Sequence, residues 1–508
     1  MTSSNNRRIA KNTIVLYLRM ALTMVVSLFT SRIVLKRLGV EDFGINNVVA
    51  GVVGMFSFLN ASMSGATSRF LSFCLGKSDE ALLKIHLGAA KSIHWMIALL
   101  VLFLAEILGL YFLNTKLVIP ESRMFAANWV FQCCVLSTMF TITQVPYTAC
   151  ILSHEKMVVY AYIEILNTFL KLVSVFLLCL NFDKLVLWGT FSATVSVIIS
   201  LIYRIYCWKY YSESRAKFVF QKNILKPMLS FSGWDLYGNL SVMARTQGVN
   251  MLLNMFFGPL MNAAAAVATQ VQSAVMSLSG NLVTAMRPQI VKRYAAGEIQ
   301  SMLTLLEEVE KLAFLLISFL TIPLLVERDY VLHLWLGNVP ELASCICIYV
   351  LLFNVFANQS VILVSVIHAT GKIFRPSFIN GSLYLLVIPV SYISFRLGGA
   401  YWTSFLFNVL AVFLGMLSNA WTIHLYIPRF SFSHYLTKSL FPCVSIFIII
   451  LLMCLGVSCI MKQGFLRLVL VTMQSSFLLC LLGFFFLISQ NTRNGILKRL
   501  KEKICLNH

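Results

Sequence analysis

Arg245 opens the stretch RTQGVNMLLNMFFG (245–258), which is otherwise apolar enough for a bilayer interior but also carries Gln247, Asn250 and Asn254. A guanidinium presents five donors in a rigid fork that matches phosphate or carboxylate oxygens two at a time. At membrane depth such a group costs at least about 2.5 kcal/mol on the insertion scale, so it belongs against a bundle interior or a wet cavity. Anion recognition is the chemistry this residue can do. Gly238, Ser241, Gly248 and Leu252 share its face at helical spacing, whereas Asp235, Asn239, Thr246 and Asn250 form a second polar strip.

Two other segments repeat the pattern. Asn12, Arg19, Thr23 and Thr30 fall on one helical face, and so do Glu164 and Lys171 with Asn167 and Thr168 between them. Arg245, Arg19, Lys171, Asn250 and Asn239 are therefore the candidate ligands for an anionic substrate. Asp235 and Glu164 are the candidates for coupling to H⁺ or Na⁺. Plainer roles stand beside these: Arg19 reaching to the cytoplasmic headgroups, and Glu164 bridging Lys171.

The elements that position these residues follow from composition. The chain has 508 residues, 59% hydrophobic and 12% charged, with mean hydropathy +0.83; a soluble domain carries about 25% charged residues. Apolar runs of spanning length, roughly 20 residues, lie near 12–35, 43–65, 89–113, 124–145, 157–180, 185–207, 229–257, 260–285, 311–332, 341–367, 376–396, 400–427, 440–461 and 467–489. The fold class is all-α and polytopic. The basic start MTSSNNRRIAKNTIVLYL is retained as the first helix, because no small-residue cleavage site follows its apolar run.

Fourteen spans put both termini on one side of the membrane. Of the 40 Lys and Arg, 27 lie in the loops on that side, 10 in the others and 3 within helices, so both termini are expected in the cytoplasm. The formal charge of +21 is explained the same way, without nucleic acid.

Short loops on the outer side leave no external domain for chemistry. No GxxxxGK[ST] loop is present, so the chain is not expected to hydrolyse nucleotide. The eight histidines are scattered, and His154-Glu155 lacks an HExxH continuation. The 13 cysteines contain no CxxC pair and no zinc-type Cys/His spacing, so no metal or cofactor is expected. A membrane glycosyltransferase or polymerase would be expected to carry a sizeable loop with clustered Asp, His or Arg.

The basic connector WKYYSESRAKFVFQKNILKP (208–227) divides twelve helices into two sets of six. Gly39 pairs with Gly258, Arg69 with Arg287, Gly76 with Gly297 and Lys156 with Lys372, at offsets between 216 and 221. Parallel repeats of this kind are a transporter architecture. The expected division is an N-terminal lobe 1–208, a linker 209–228, a C-terminal lobe 229–427, and 428–508 with two further helices and a basic tail.

The run FSGWDLYGNLSVMARTQGVNMLLNMFFGPLMNAAAAVATQVQSAV followed by NLVTAMRPQIVKRYAAGE resembles the helix 7 to helix 8 region of bacterial polysaccharide flippases, of O-antigen or capsule type. SRIVLKRLGVEDFGINNVVAGVVGMFSFLNASMSGATSRF is similar to their first two helices. These flippases belong to the multidrug/oligosaccharidyl-lipid/polysaccharide exporter superfamily, which has two six-helix bundles, with two further helices in some members.

The resemblance implies a monomer in the cytoplasmic membrane that moves an undecaprenyl-diphosphate-linked oligosaccharide outward by alternating access, beside membrane lipids and polysaccharide polymerase machinery. The same superfamily also holds cation-coupled multidrug antiporters, which would place carboxylates rather than arginines at the cavity centre.

Overall fold

A computed structural model describes residues 3–54, 57–115, 119–179, 182–336, 339–340 and 342–487. The basic tail expected beyond 487 lies outside them. Helices account for nearly all of the described chain: α1 (Ser3–Gly54), α2 (Ser57–Gly76), α3 (Glu80–Thr115), α4 (Glu121–Ser153), α5 (Met157–Phe176), α6 (Lys184–Tyr210), α7 (Lys222–Phe257), α8 (Pro259–Ala295), α9 (Ile299–Leu336), α10 (Ala343–Thr370), α11 (Phe374–Arg396), α12 (Trp402–Tyr426), α13 (Phe432–Ile460) and α14 (Phe465–Leu487). Helices are the natural result where lipid offers the backbone no hydrogen-bonding partner. Thirteen of the apolar runs fall largely on a single helix; the run 43–65 instead begins in α1 beyond Gly39 and ends in α2. The protein is an all-α, multi-pass membrane protein.

Local chemistry sets the breaks. Asp79 caps α3 by accepting from the Leu82 amide at 2.9 Å, and Asp183 caps α6 through the amides of Leu185 and Val186 at 3.0 and 3.2 Å. Inside α1, Gly39 takes φ 81°, ψ 170°, a conformation open only to glycine. Gly258, between α7 and α8, has φ 80°. The two repeat-related glycines thus turn the chain at corresponding places. Pro323 lies inside α9, and Glu327, four residues on, leaves helical geometry.

The chain divides into two compact units. The first comprises 1–236 and 294–296. Its cores include Leu71, Cys150, Ile199 and Tyr203 at one level and Val49, Ala127, Phe131 and Leu185 at another. The connector after α6 is part of this unit. Lys91 Nζ, buried on α3, donates to the carbonyls of Ser214 and Ala216, the Val219 amide donates to Ser92 Oγ, and Gly88 leaves space for the connector backbone at Lys217.

The second unit comprises 237–293 and 297–508. One core gathers α7, α8, α10, α11 and α12 around Leu253, Ala264, Ile346 and Cys347. Another joins α9 and α10 to α13 and α14 through Phe314, Leu351, Phe447 and Val471. Enclosure ranks the helices: 72% of the α10 apolar window is buried, against 22% for α11 and α14. Mid-helix apolar side chains such as Phe169 at 57% and Leu452 at 62% exposed fit a surface facing lipid.

Candidate functional site

In the second unit, α7 carries Arg245 into the packing against α10, α11 and α12. Its side chain is 8% exposed. Nη1 donates to Asn408 Oδ1 at 2.8 Å, and the guanidinium carbon lies 4.9 Å from the Phe353 ring centre and 4.8 Å from that of Tyr384. Two aromatic faces and one amide oxygen thus replace part of its hydration. Asn408 Nδ2 is tied to the Ser404 carbonyl at 3.0 Å, which aims Oδ1 at the arginine. Arg245 Nε has no hydrogen-bond partner among the described residues.

A cleft of about 70 Å³ opens beside this group, with Asn250, Thr269, Gln272 and Asn408 supplying polar atoms and Tyr349 and Phe405 apolar walls. Its interior has room for a few waters or one small polar group, not for a sugar chain. No described lining residue is a carboxylate.

The neighbours of Arg245 on its own face do a different job from the one the spacing suggested. A Cβ at Gly248 would stand 2.8 Å from Ile388 Cδ1, and one at Gly381 would stand 2.5 Å from the Tyr237 ring and 2.9 Å from Ser241 Oγ. Gly248, Ser241 and Gly381 therefore set the close approach of α7 and α11. Of the second strip, Asn250 and Thr246 line the cleft, Thr246 also bonding back to the Val242 carbonyl, and Asn239 is exposed. Asp235, ten residues before Arg245 and so about 15 Å away along the helix, lies in the first unit with Oδ2 against Gly65 of α2.

The first unit gathers a second polar group. Arg19 of α1 stacks 5.1 Å from the Tyr160 ring centre and hydrogen-bonds that side chain, while Tyr203 of α6 donates to Glu164 Oε1 at 2.9 Å. Lys171, one face with Glu164 by spacing, is exposed and makes no ion pair among the described residues. Tyr203 satisfies Glu164 instead, so the Glu164–Lys171 bridge is not formed. Asn12 bonds the Glu155 carbonyl at 3.4 Å, and Thr23 and Thr30 bond carbonyls of their own helix. From that strip only Arg19 meets a polar cluster.

The aromatic partners Phe353 and Tyr384, the amide Asn408, and Tyr160 and Tyr203 were not legible as site residues, because each lies singly in an apolar run. Two buried acids were also missed. Glu310 is 3% exposed, beside Tyr435 of α13. Glu327, fully buried, binds Arg467 of α14 through two contacts of 2.7 and 2.9 Å.

With this geometry in hand, the chain can be set against known proteins. It superposes on a multidrug resistance MATE family transporter of the MOP superfamily in the outward-facing conformation, at TM-score 0.67 and 14% identity, covering 83% of this chain and 96% of that one. The fold is that of the MATE transporters. A MOP superfamily transporter from Pyrococcus furiosus, described by the reversed polarity of its binding pocket, matches at TM-score 0.65 and 14% identity over 82% and 96% of the two chains. In sequence the chain is 20% identical to an uncharacterized membrane protein of Bacillus subtilis, EpsK, over 323 residues; the match spans 62% of this chain and 63% of the relative. No protein-family model matches the chain.

Proposed function

We propose that this protein is a flippase that moves an undecaprenyl-diphosphate-linked oligosaccharide from the inner to the outer leaflet of the cytoplasmic membrane by alternating access. The observation that carries the reading is the buried guanidinium of Arg245 beside a polar cleft whose described lining holds no carboxylate. Such a group attracts phosphate oxygens and repels organic cations. Asn250 supplies a neutral hydrogen-bonding partner in the same cleft, and Arg19 supplies a second cation in the first unit. On this reading the cleft takes a phosphate oxygen and the glycan lies outside it. The reversed pocket polarity of the Pyrococcus furiosus transporter is a precedent for variation in pocket polarity on this fold, whereas the multidrug resistance neighbour represents the competing reading.

The test is deletion of the gene in its host, followed by extraction of lipid-linked oligosaccharides. Accumulation on the cytoplasmic side, relieved by the wild type but not by an equally abundant Arg245→Ala variant, supports the proposal. Unchanged lipid pools with altered drug tolerance would select the cation antiporter.

Coupling to H⁺ or Na⁺ through Asp235 or Glu164 belongs to the same proposal. Transport by Asp235→Asn combined with Glu164→Gln is then expected to stop responding to an imposed ion gradient, and a response equal to wild type rejects both residues.

A further inference from the structure

The cytoplasmic end of the first unit, as the positive-inside count orients it, brings together side chains that the transport reading does not use. Cys150 lies in the last turn of α4, and His154 follows four residues later on the same face. Glu213 reaches them from the short turn Ser212–Arg215 that begins the connector after α6. His154 Nε2 is 2.6 Å from Glu213 Oε1, and Cys150 Sγ is 3.7 Å from the same oxygen. One ligand atom from each of the three lies within 4.8 Å of the others. Cys207 of α6 lies nearby, its thiol donating to the Tyr147 carbonyl at 3.4 Å.

We propose that Cys150, His154 and Glu213, with water in the fourth position, form a zinc(II) site that fastens the connector to the first unit. Zinc takes sulfur at about 2.3 Å and nitrogen or oxygen at about 2.0 to 2.2 Å in a tetrahedron, which places ligand atoms roughly 3.3 to 3.8 Å apart. The Cys150–Glu213 distance already fits. The direct His154–Glu213 contact opens by about 1 Å to admit the ion.

Charge and surroundings agree. One thiolate and one carboxylate balance the divalent ion, and the ammonium of Lys91 is close enough to Cys150 to interact with it. Tyr211 stacks on the His154 ring at 4.3 Å and fixes its plane, as second-layer groups do for metal-bound imidazoles. Cys150 and Glu213 are buried while His154 is part-exposed, which leaves one side for the ion to enter. The cytoplasm keeps the thiol reduced and available. The sequence motif is silent because Glu213 comes 59 positions after His154, a separation that only the α4–α6 packing closes.

The full chain, purified in detergent and stripped with a chelator, is titrated with zinc and, separately, with cobalt(II). Expected are one equivalent of zinc per chain and a cobalt spectrum with thiolate charge-transfer and tetrahedral d–d bands. Cys150→Ser or Glu213→Gln should weaken binding at least tenfold, while Cys459→Ser, at an exposed cysteine elsewhere, leaves it unchanged.

X-ray absorption on the zinc-loaded wild type gives a test that needs no variant. Sulfur in the first shell together with lighter ligands supports the site, and a shell of nitrogen and oxygen alone overturns it. Trypsin provides a readout independent of transport, since Arg215 and Lys217 are exposed next to the site. Chelation should speed cleavage there severalfold and zinc restore protection. Absence of stoichiometric binding, or binding indifferent to Cys150→Ser and Glu213→Gln, rejects the proposal.

Discussion

A guanidinium enclosed to 8% exposure has to be accounted for donor by donor. At Arg245 one amino group is bonded to Asn408, two rings cover its faces, and Nε is left over beside the cleft. Asn408→Ala removes the acceptor. A hydrogen bond to a charged group contributes about 1.5 to 3 kcal/mol, so this variant should unfold correspondingly earlier in a thermal melt. Arg245→Lys keeps the charge but loses the flat surface held between Phe353 and Tyr384 and the fork that fits two phosphate oxygens. On the proposed function its transport should fall at least tenfold at equal abundance in the membrane, and wild-type transport by the lysine variant would mean that charge alone suffices. That Arg245 was exceptional could be read from its place near the middle of an apolar run. Its partners could not, because a phenylalanine, a tyrosine and an asparagine on three other helices become neighbours only through packing.

Among the elements, α14 is fastened to α9 by the buried Glu327–Arg467 pair, and Arg467 also bonds the Ser458 and Met461 carbonyls. Removing one partner of a buried pair leaves an unpaired charge and costs about 3 to 5 kcal/mol, whereas well-packed apolar replacements of both are often neutral. Arg467→Met should therefore destabilise the second unit strongly, and adding Glu327→Leu should recover most of the loss in a thermal melt. The glycine turns act on the same scale. Gly39 at φ 81° and Gly258 at φ 80° sit where a Cβ costs about 1 to 2 kcal/mol, so Gly39→Ala and Gly258→Ala should each lower the free energy of unfolding by that amount. Both glycines were visible as paired anchors at the repeat offset, but the reason for the pairing is conformational and needed the backbone angles. The small-residue face of α7 is the opposite case. Its spacing was plain, but whether it lined a cavity or met another helix depended on Ile388 and Gly381 of α11.

Across the whole molecule, charged groups at the surface make stability depend on pH. Arg123 bonds both Asp42 and Asp183, at 2.6 and 2.5 Å. Partial burial works to raise the Asp183 carboxyl, but the Arg123 bond and the α6 amides outweigh it and hold it below its ordinary value. A carboxyl lower in the folded than in the unfolded state binds fewer protons when folded. Its contribution is present above the unfolded value of about 3.9 and is lost as pH falls through the folded one. The difference in melting temperature between the wild type and Asp183→Asn should stay constant from pH 7 to about 5 and shrink below about 4.

The sequence by itself determined the solvent and the class of fold, because lipid leaves the backbone only self-satisfied helices and hydropathy over 20 residues reads them directly. It also marked Arg19, Glu164 and Arg245 as out of place in apolar surroundings. Tertiary structure alone decided that Glu164 answers to Tyr203 rather than Lys171, that Arg245 is enclosed by Phe353, Tyr384 and Asn408, and that Cys150, His154 and Glu213 meet. Apart from Cys150 and His154, those contacts join residues tens to more than a hundred positions apart, and helical periodicity records which face a residue occupies but not which helix that face meets.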